Sequence, residues 1–149
     1  MSNYLVRTEP HDETIYVKML GEFDAKTLSE STESLVEELN RTDYRKILLD
    51  HSEAAPLLSI LEQHERPEVA EKIGVQRACR VAIVYRKDHE TYSFIETVAT
   101  NKGFSVKVFT STEEAVSWLG DWKWVCMTLI DYQYIADESQ ISAKNTALF

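Results

Sequence analysis

Hydrophobic positions in this chain switch repeatedly between a spacing of two and a spacing of three to four, and the switches mark out its elements. Phe94, Ile95, Val98 and Ala99 share one helical face, and Asn101-Lys102-Gly103 stops that helix. Phe104, Val106 and Val108 then alternate with Ser105 and Lys107, which predicts a strand over 104–110. Ser111-Thr112-Glu113-Glu114 reads as a cap for a helix to 119, with Ala115, Val116, Trp118 and Leu119 on its apolar face. Upstream, RKILLD at 45–50 and RVAIVY at 80–85 carry unbroken apolar runs, the pattern of inner strands covered on both faces.

The first half follows the same logic. Tyr4 to Thr8 and Thr14 to Leu20 flank the turn Pro10-His11-Asp12-Glu13 and predict a hairpin whose second strand ends at Gly21. Asp24 caps a helix of roughly 25–40 that puts Leu28, Leu35, Val36 and Leu39 on one face and leaves the rest to Ser, Thr and Glu. His51 to Pro56 reads as the loop beyond the central strand. Leu57 to Val75 is helical in composition, but Pro67 would remove a hydrogen bond from a helix interior, so two short helices are expected, with Pro67 in the first turn of the second.

The predicted order is ββαβαβαβα. That is an α/β fold with a mixed sheet of about five strands flanked by helices, its parallel part joined by right-handed crossovers. It requires 47–49 and 81–85 to lie side by side in one layer. Residues 1–120 form one domain, and 121–149 an aromatic C-terminal extension. Trp122, Trp124, Tyr132 and Tyr134 crowd there with Val125, Leu129 and Ile130, more apolar surface than water tolerates. The extension either docks on the sheet edge or covers a second subunit, with those four aromatics as interface candidates in a homodimer. From about Ala136 it is polar enough to fray.

Composition narrows the partners. A net charge of −9 argues against nucleic acid and against an anionic membrane surface. The N-terminus lacks the basic-then-apolar pattern of a signal peptide, and no run approaches the ~20 apolar residues of a membrane span. A cytoplasmic location is expected. Cys79 and Cys126 follow no metal spacing and read as buried thiols, with a disulfide left open.

The element order, together with RVAIV, FIETVATNKGFSVKVF and EEAVSWL, resembles the SpoIIAA-like, or STAS-type, bacterial domains, closest to small stand-alone members of uncharacterised function. The resemblance covers roughly residues 4–120. It implies a non-enzymatic interaction module with an unknown protein partner. In the antagonists of anti-sigma factors in this superfamily, a Ser at the start of the helix after the central strand is phosphorylated by a partner kinase, within an Asp-Ser-Ser/Thr-Gly type motif. Here the corresponding stretch reads Asp50-His51-Ser52-Glu53-Ala54-Ala55-Pro56-Leu57-Leu58-Ser59, with no Gly and no paired hydroxyls, so Ser59 or Ser52 stands nearest that place.

The residues themselves offer a short roll of candidate chemistry. Asp50-His51-Ser52 holds the three residue types of acyl transfer, but neighbours on a strand project alternately and cannot form a relay. The same stretch lies where open α/β sheets bind ligands or partners, so Asp50, His51, Ser52 and Ser59 form the candidate binding or regulatory surface; the bland alternative is a strand-ending Asp and a loop-closing Ser. Ser59 equally suits an ordinary N-cap with Glu62 completing a capping box. His64 and Glu68 are four apart, but a break at Pro67 would part them, and His11, His51 and His89 are scattered as surface histidines are; no metal is expected. The four glycines, Gly21, Gly74, Gly103 and Gly120, are too dispersed for a phosphate-binding loop, and no cofactor is expected. Arg80, Arg86 and Lys87 bracket RVAIVY as an anion contact or as ordinary surface cations. A small-ligand-binding protein or weak enzyme, with a pocket at the C-terminal ends of the central strands, is the alternative to the interaction module.

Overall fold

Alternation and helical spacing lead to five strands and four helices among the described residues. The computed structural model describes residues 3–86 and 91–120. Strands β1 (Tyr4–Glu9) and β2 (Thr14–Phe23) form the hairpin, and α1 (Ala25–Thr42) crosses to β3 (Lys46–Pro56). Helix α2 (Ile60–Ile73), β4 (Arg80–Val84), α3 (Thr91–Asn101) and β5 (Ser105–Phe109) follow, and α4 spans 112–120. The strands lie in the sheet in chain order, β1-β2-β3-β4-β5. Only the first pair is antiparallel. Ile47 pairs with Val81 and Leu49 with Ile83, so the two apolar runs are neighbouring inner strands.

Every parallel step moves in one direction across the sheet, so crossovers of one hand put α1, α2 and α3 on one face. There Ile15, Val17, Met19 and Ile47 pack with Leu28, Leu35 and Leu39 of α1. On the opposite face Leu48, Ala82 and Val84 lie beneath Ala115 and Leu119 of α4. The Arg80 guanidinium sits 3.7 Å from the centre of the Trp118 ring on that side. Asp24 caps α1 by accepting from the Thr27 N–H at 2.9 Å, as its position before the helix predicts.

Several expectations need correction. Residues 51–56 are strand, not loop: β3 runs to Pro56 and pairs beyond Asp50 with β2 alone. β2 likewise passes Gly21, which adopts φ +68° within the strand, and reaches Phe23. Two residues of β3, His51 and Ser52, stand opposite the single Met19 of β2, a bulge that bends the ribbon where β4 has ended.

Helix α2 is also continuous through Pro67 rather than broken before it. An interior proline costs about 3 kcal/mol, chiefly through the lost N–H and a crowded carbonyl one turn back. One feature offsets this: the Pro67 ring is buried on the face of α2 that lines the core side. The amphipathic faces shift slightly too. Phe94 and Val116 are exposed, whereas Tyr92 joins Ile95, Val98 and Ala99 inside. Ser31 and Thr32 of α1 are buried because both hydroxyls donate to the Leu28 carbonyl, at 2.8 and 2.9 Å. Residues 121–149, with the interface candidates Trp122, Trp124, Tyr132 and Tyr134 and with Cys126, lie outside the described residues, as do Lys87 and His89. No helix of the described residues is long and apolar enough to cross a membrane.

Candidate functional site

The extension of β3 decides where the candidate residues point. Asp50 lies opposite Val84 at the end of β4, and its Oδ1 accepts from both the Ser52 N–H (3.0 Å) and the Ser52 hydroxyl (2.6 Å). His51 turns to the other face, towards α1–α3. It is not the surface histidine the sequence suggests: it is only 4% exposed. Its Nδ1 lies 2.9 Å from the Tyr92 hydroxyl, so His51 bridges neither Asp50 nor Ser52 and there is no acyl-transfer relay. Asp50 and Ser52 thus form one local pair, His51 belongs to the interior, and Ser59 stands apart at the start of α2.

Ser59 completes a reciprocal cap. Its hydroxyl accepts from the Glu62 N–H at 3.1 Å, and Glu62 Oε1 accepts from the Ser59 N–H at 2.9 Å. Two of the donors left over at a helix start are satisfied in this way. Ser59→Ala is expected to cost about 1 kcal/mol in chemical denaturation; an unchanged midpoint would mean the cap contributes nothing. Around this serine, Leu57, Ile60 and Leu61 are 55%, 75% and 63% exposed, a gathering of large apolar side chains at one corner. Glu53, Glu62 and Glu65 are exposed nearby in sequence. His64 and Glu68 do share a face of the unbroken α2, but Glu68 ion-pairs with Lys102 at 3.4 Å. Among the described residues no three potential metal ligands cluster.

His51 opens onto a feature that sequence reasoning missed. Between the sheet and α1–α3 lies a cavity of about 120 Å³. Its walls are mainly apolar, with Val17, Ile47 and Leu49 from the sheet and Leu28, Pro67 and Ile95 from the helices. The polar exceptions are His51, Tyr92, Arg66, Ser31 and Thr32. Rings stand in a row across one end: Phe23 to His51 at 5.3 Å, His51 to Tyr92 at 5.4 Å, and Tyr92 stacked on Tyr85 at 5.0 Å. Burial pushes the His51 pKa down to about 4, with Arg66 lowering it further and Asp50 opposing, so the ring is neutral at pH 7. Its Nε2 is buried without a partner, a cost of about 1–3 kcal/mol in a folded protein. Burial raises the Tyr92 hydroxyl well above the usual tyrosine range.

Arg66 reaches the cavity from α2. Its two terminal nitrogens donate to Ser29 Oγ (3.0 Å) and Thr32 Oγ1 (2.7 Å). Burial lowers its pKa to about 10, which leaves it charged at neutral pH. A period of two along β3 (Ile47, Leu49, His51) is the signal that puts His51 inside, once 51–56 is read as strand. Tyr92 sits three residues before Ile95, on the same helical face. Nothing in the sequence singles out Arg66.

No protein-family model matches the chain, and no curated protein matches it. Among solved structures, it is similar to an uncharacterized DUF3478-family protein with a SpoIIAA-like fold from Shewanella loihica PV-4, with 20% identity, TM-score 0.56, and coverage of 80% of this chain and 95% of that one. Weaker likeness extends to the anti-sigma factor antagonist SpoIIAA in its unphosphorylated form, with 13% identity, TM-score 0.48, and coverage of 78% and 96%. The Bacillus cell fate determinant SpoIIAA in the phosphorylated form gives 12% identity, TM-score 0.45, and coverage of 78% and 98%. The hairpin, the parallel β-α repeats and the match to the Shewanella protein lead to one conclusion: this chain has a SpoIIAA-like fold.

Proposed function

We propose that this chain is a non-enzymatic, STAS-type regulatory module that binds a partner protein through the surface running from Asp50 and Ser52 on β3 to Ser59 and the apolar side chains at the start of α2. The observation that carries this reading is the exposure of Leu57, Ile60 and Leu61 together at the β3–α2 junction. Apolar side chains grouped at one place on a surface mark an interaction site more often than scattered ones do. The glutamates of the same stretch suit a partner whose own apolar patch is rimmed by Lys or Arg. Ser59, or Ser52, is then the place where a phosphate would regulate binding. The module acts in the cytoplasm. It also pairs with itself through Trp122, Trp124, Tyr132 and Tyr134.

The test compares the full chain with Ile60→Asp/Leu61→Asp in cross-linking and capture from extracts of the source cell. Both side chains are exposed, so the double variant is expected to unfold within about 1 kcal/mol of the original, since surface changes stay near ±0.5 kcal/mol each. Its captured partner should be lost. Undiminished capture by the variant removes this surface from the proposal. Incubation with extract and ATP should place phosphate on Ser59 or Ser52; phosphate on neither removes the switch. Light scattering on the full chain and on a chain ending at Gly120 should give a dimer and a monomer; equal masses remove the dimer role of the aromatic segment.

A further inference from the structure

None of Asp50, Ser52, Leu57, Ser59, Ile60 and Leu61 lines the cavity between the sheet and α1–α3, and two of its polar groups each lack a complement. His51 is 4% exposed and presents Nε2 with no partner. Arg66 carries a charge whose described hydrogen bonds go to two hydroxyls, and among the described residues no carboxylate pairs with it. Both side chains line the same space, and the charge of one is felt by the ring of the other. A largely desolvated guanidinium without a counter-ion is the setting in which a carboxylate binds well, through parallel N–H donors. Apart from the hydroxyls of Ser31, Thr32 and Tyr92, the remaining walls are aliphatic and aromatic. A dry, apolar space of roughly 150 Å³ takes up a molecule the size of benzene, and this cavity is of that order.

We propose that the cavity is a binding site for a small apolar monocarboxylic acid. The carboxylate is held between Arg66 and His51, with the Nε2–H of His51 donating to one of its oxygens. His51 Nδ1 then accepts from the Tyr92 hydroxyl, which fixes the tautomer. The apolar body lies between β3 and the helices, against Ile47, Val81 and Ile95. Head and body are both required. Acetate has no body to fill the space, and an ester has no charge for Arg66.

Titration calorimetry on the full chain tests this with benzoate, methyl benzoate and acetate as probes. Benzoate is expected to bind saturably at one site. Methyl benzoate and acetate should each bind at least about tenfold more weakly, the scale of one charge-assisted contact. Arg66→Met keeps the aliphatic stem and removes the charge. It should weaken benzoate at least about tenfold while changing methyl benzoate much less. Ala70→Leu adds volume from the α2 wall and leaves both polar groups in the chain, and it should abolish benzoate binding in a protein that still unfolds cooperatively. The proposal is overturned by the absence of saturable benzoate binding, by equal affinity for acid and ester, or by benzoate binding that survives the filled cavity. Should Arg66→Met fail to fold, the acid–ester ratio and the Ala70→Leu result decide the matter alone.

Discussion

Acidification from pH 7 to 4 is expected to remove about 3 kcal/mol of stability through His51 alone, at 1.36 kcal/mol per pKa unit. The ring sits behind β3 with its pKa lowered from 6.5 to about 4, burial being the main cause. In the unfolded chain the same ring takes up a proton near its ordinary value. Between pH 6.5 and 4 the unfolded state therefore binds more protons than the folded one, and stability falls as the pH falls. Above 6.5 both states are neutral and the contribution is complete; below 4 both are charged and it is gone. Hydrogen-bonded carboxylates such as Asp24 and Glu71, whose pKa values are lowered in the fold, add a slope of the same sign. The measurement is therefore a difference. Urea unfolding of the original chain and of His51→Phe at pH 7, 6, 5 and 4 should show the original chain losing more stability than the variant by this amount. Parallel curves would mean that His51 titrates normally and is not enclosed.

Ile47→Ala should be the most damaging conservative change in the sheet. Ile47 is 0% exposed, sits on the middle strand of five and forms part of the cavity wall. Truncating such a side chain costs the transfer of its methyl groups and the void they leave, together about 2–5 kcal/mol. For a domain of this size that is a fall in Tm of roughly 10–20 °C. Leu57→Ala, a deletion of the same size at an exposed site, should stay within about 0.5 kcal/mol. A loss for Ile47→Ala no greater than for Leu57→Ala would contradict its place at the centre of the sheet.

The architecture was legible because its signals are local. The alternation of Phe104, Val106 and Val108, the apolar runs at 47–49 and 81–84, and the cap at Asp24 each pay off within a few residues. The errors arise where a distant partner decides. The stretch His51-Ser52-Glu53-Ala54-Ala55-Pro56 has a loop composition because, past Asp50, it leans on β2 only, so solvent still meets one side. Reading it as loop hid His51, the residue on which the cavity turns. Pro67 suggested a break because local rules count its missing N–H, whereas the burial of its ring on the core side of α2 is set by residues far along the chain. The site was only half visible for the same reason. Ser59 announces its cap through Glu62 three residues on, but Arg66 acquires meaning only once α1 brings Ser29 and Thr32 beside it.

The sheet order has a consequence for how the molecule is made. Because each strand lies beside the one that precedes it, a chain leaving the ribosome adds every new β-α unit to an edge that is already in place. No strand has to be inserted between two that have joined, and the growing edge moves steadily outward until β5 closes the series.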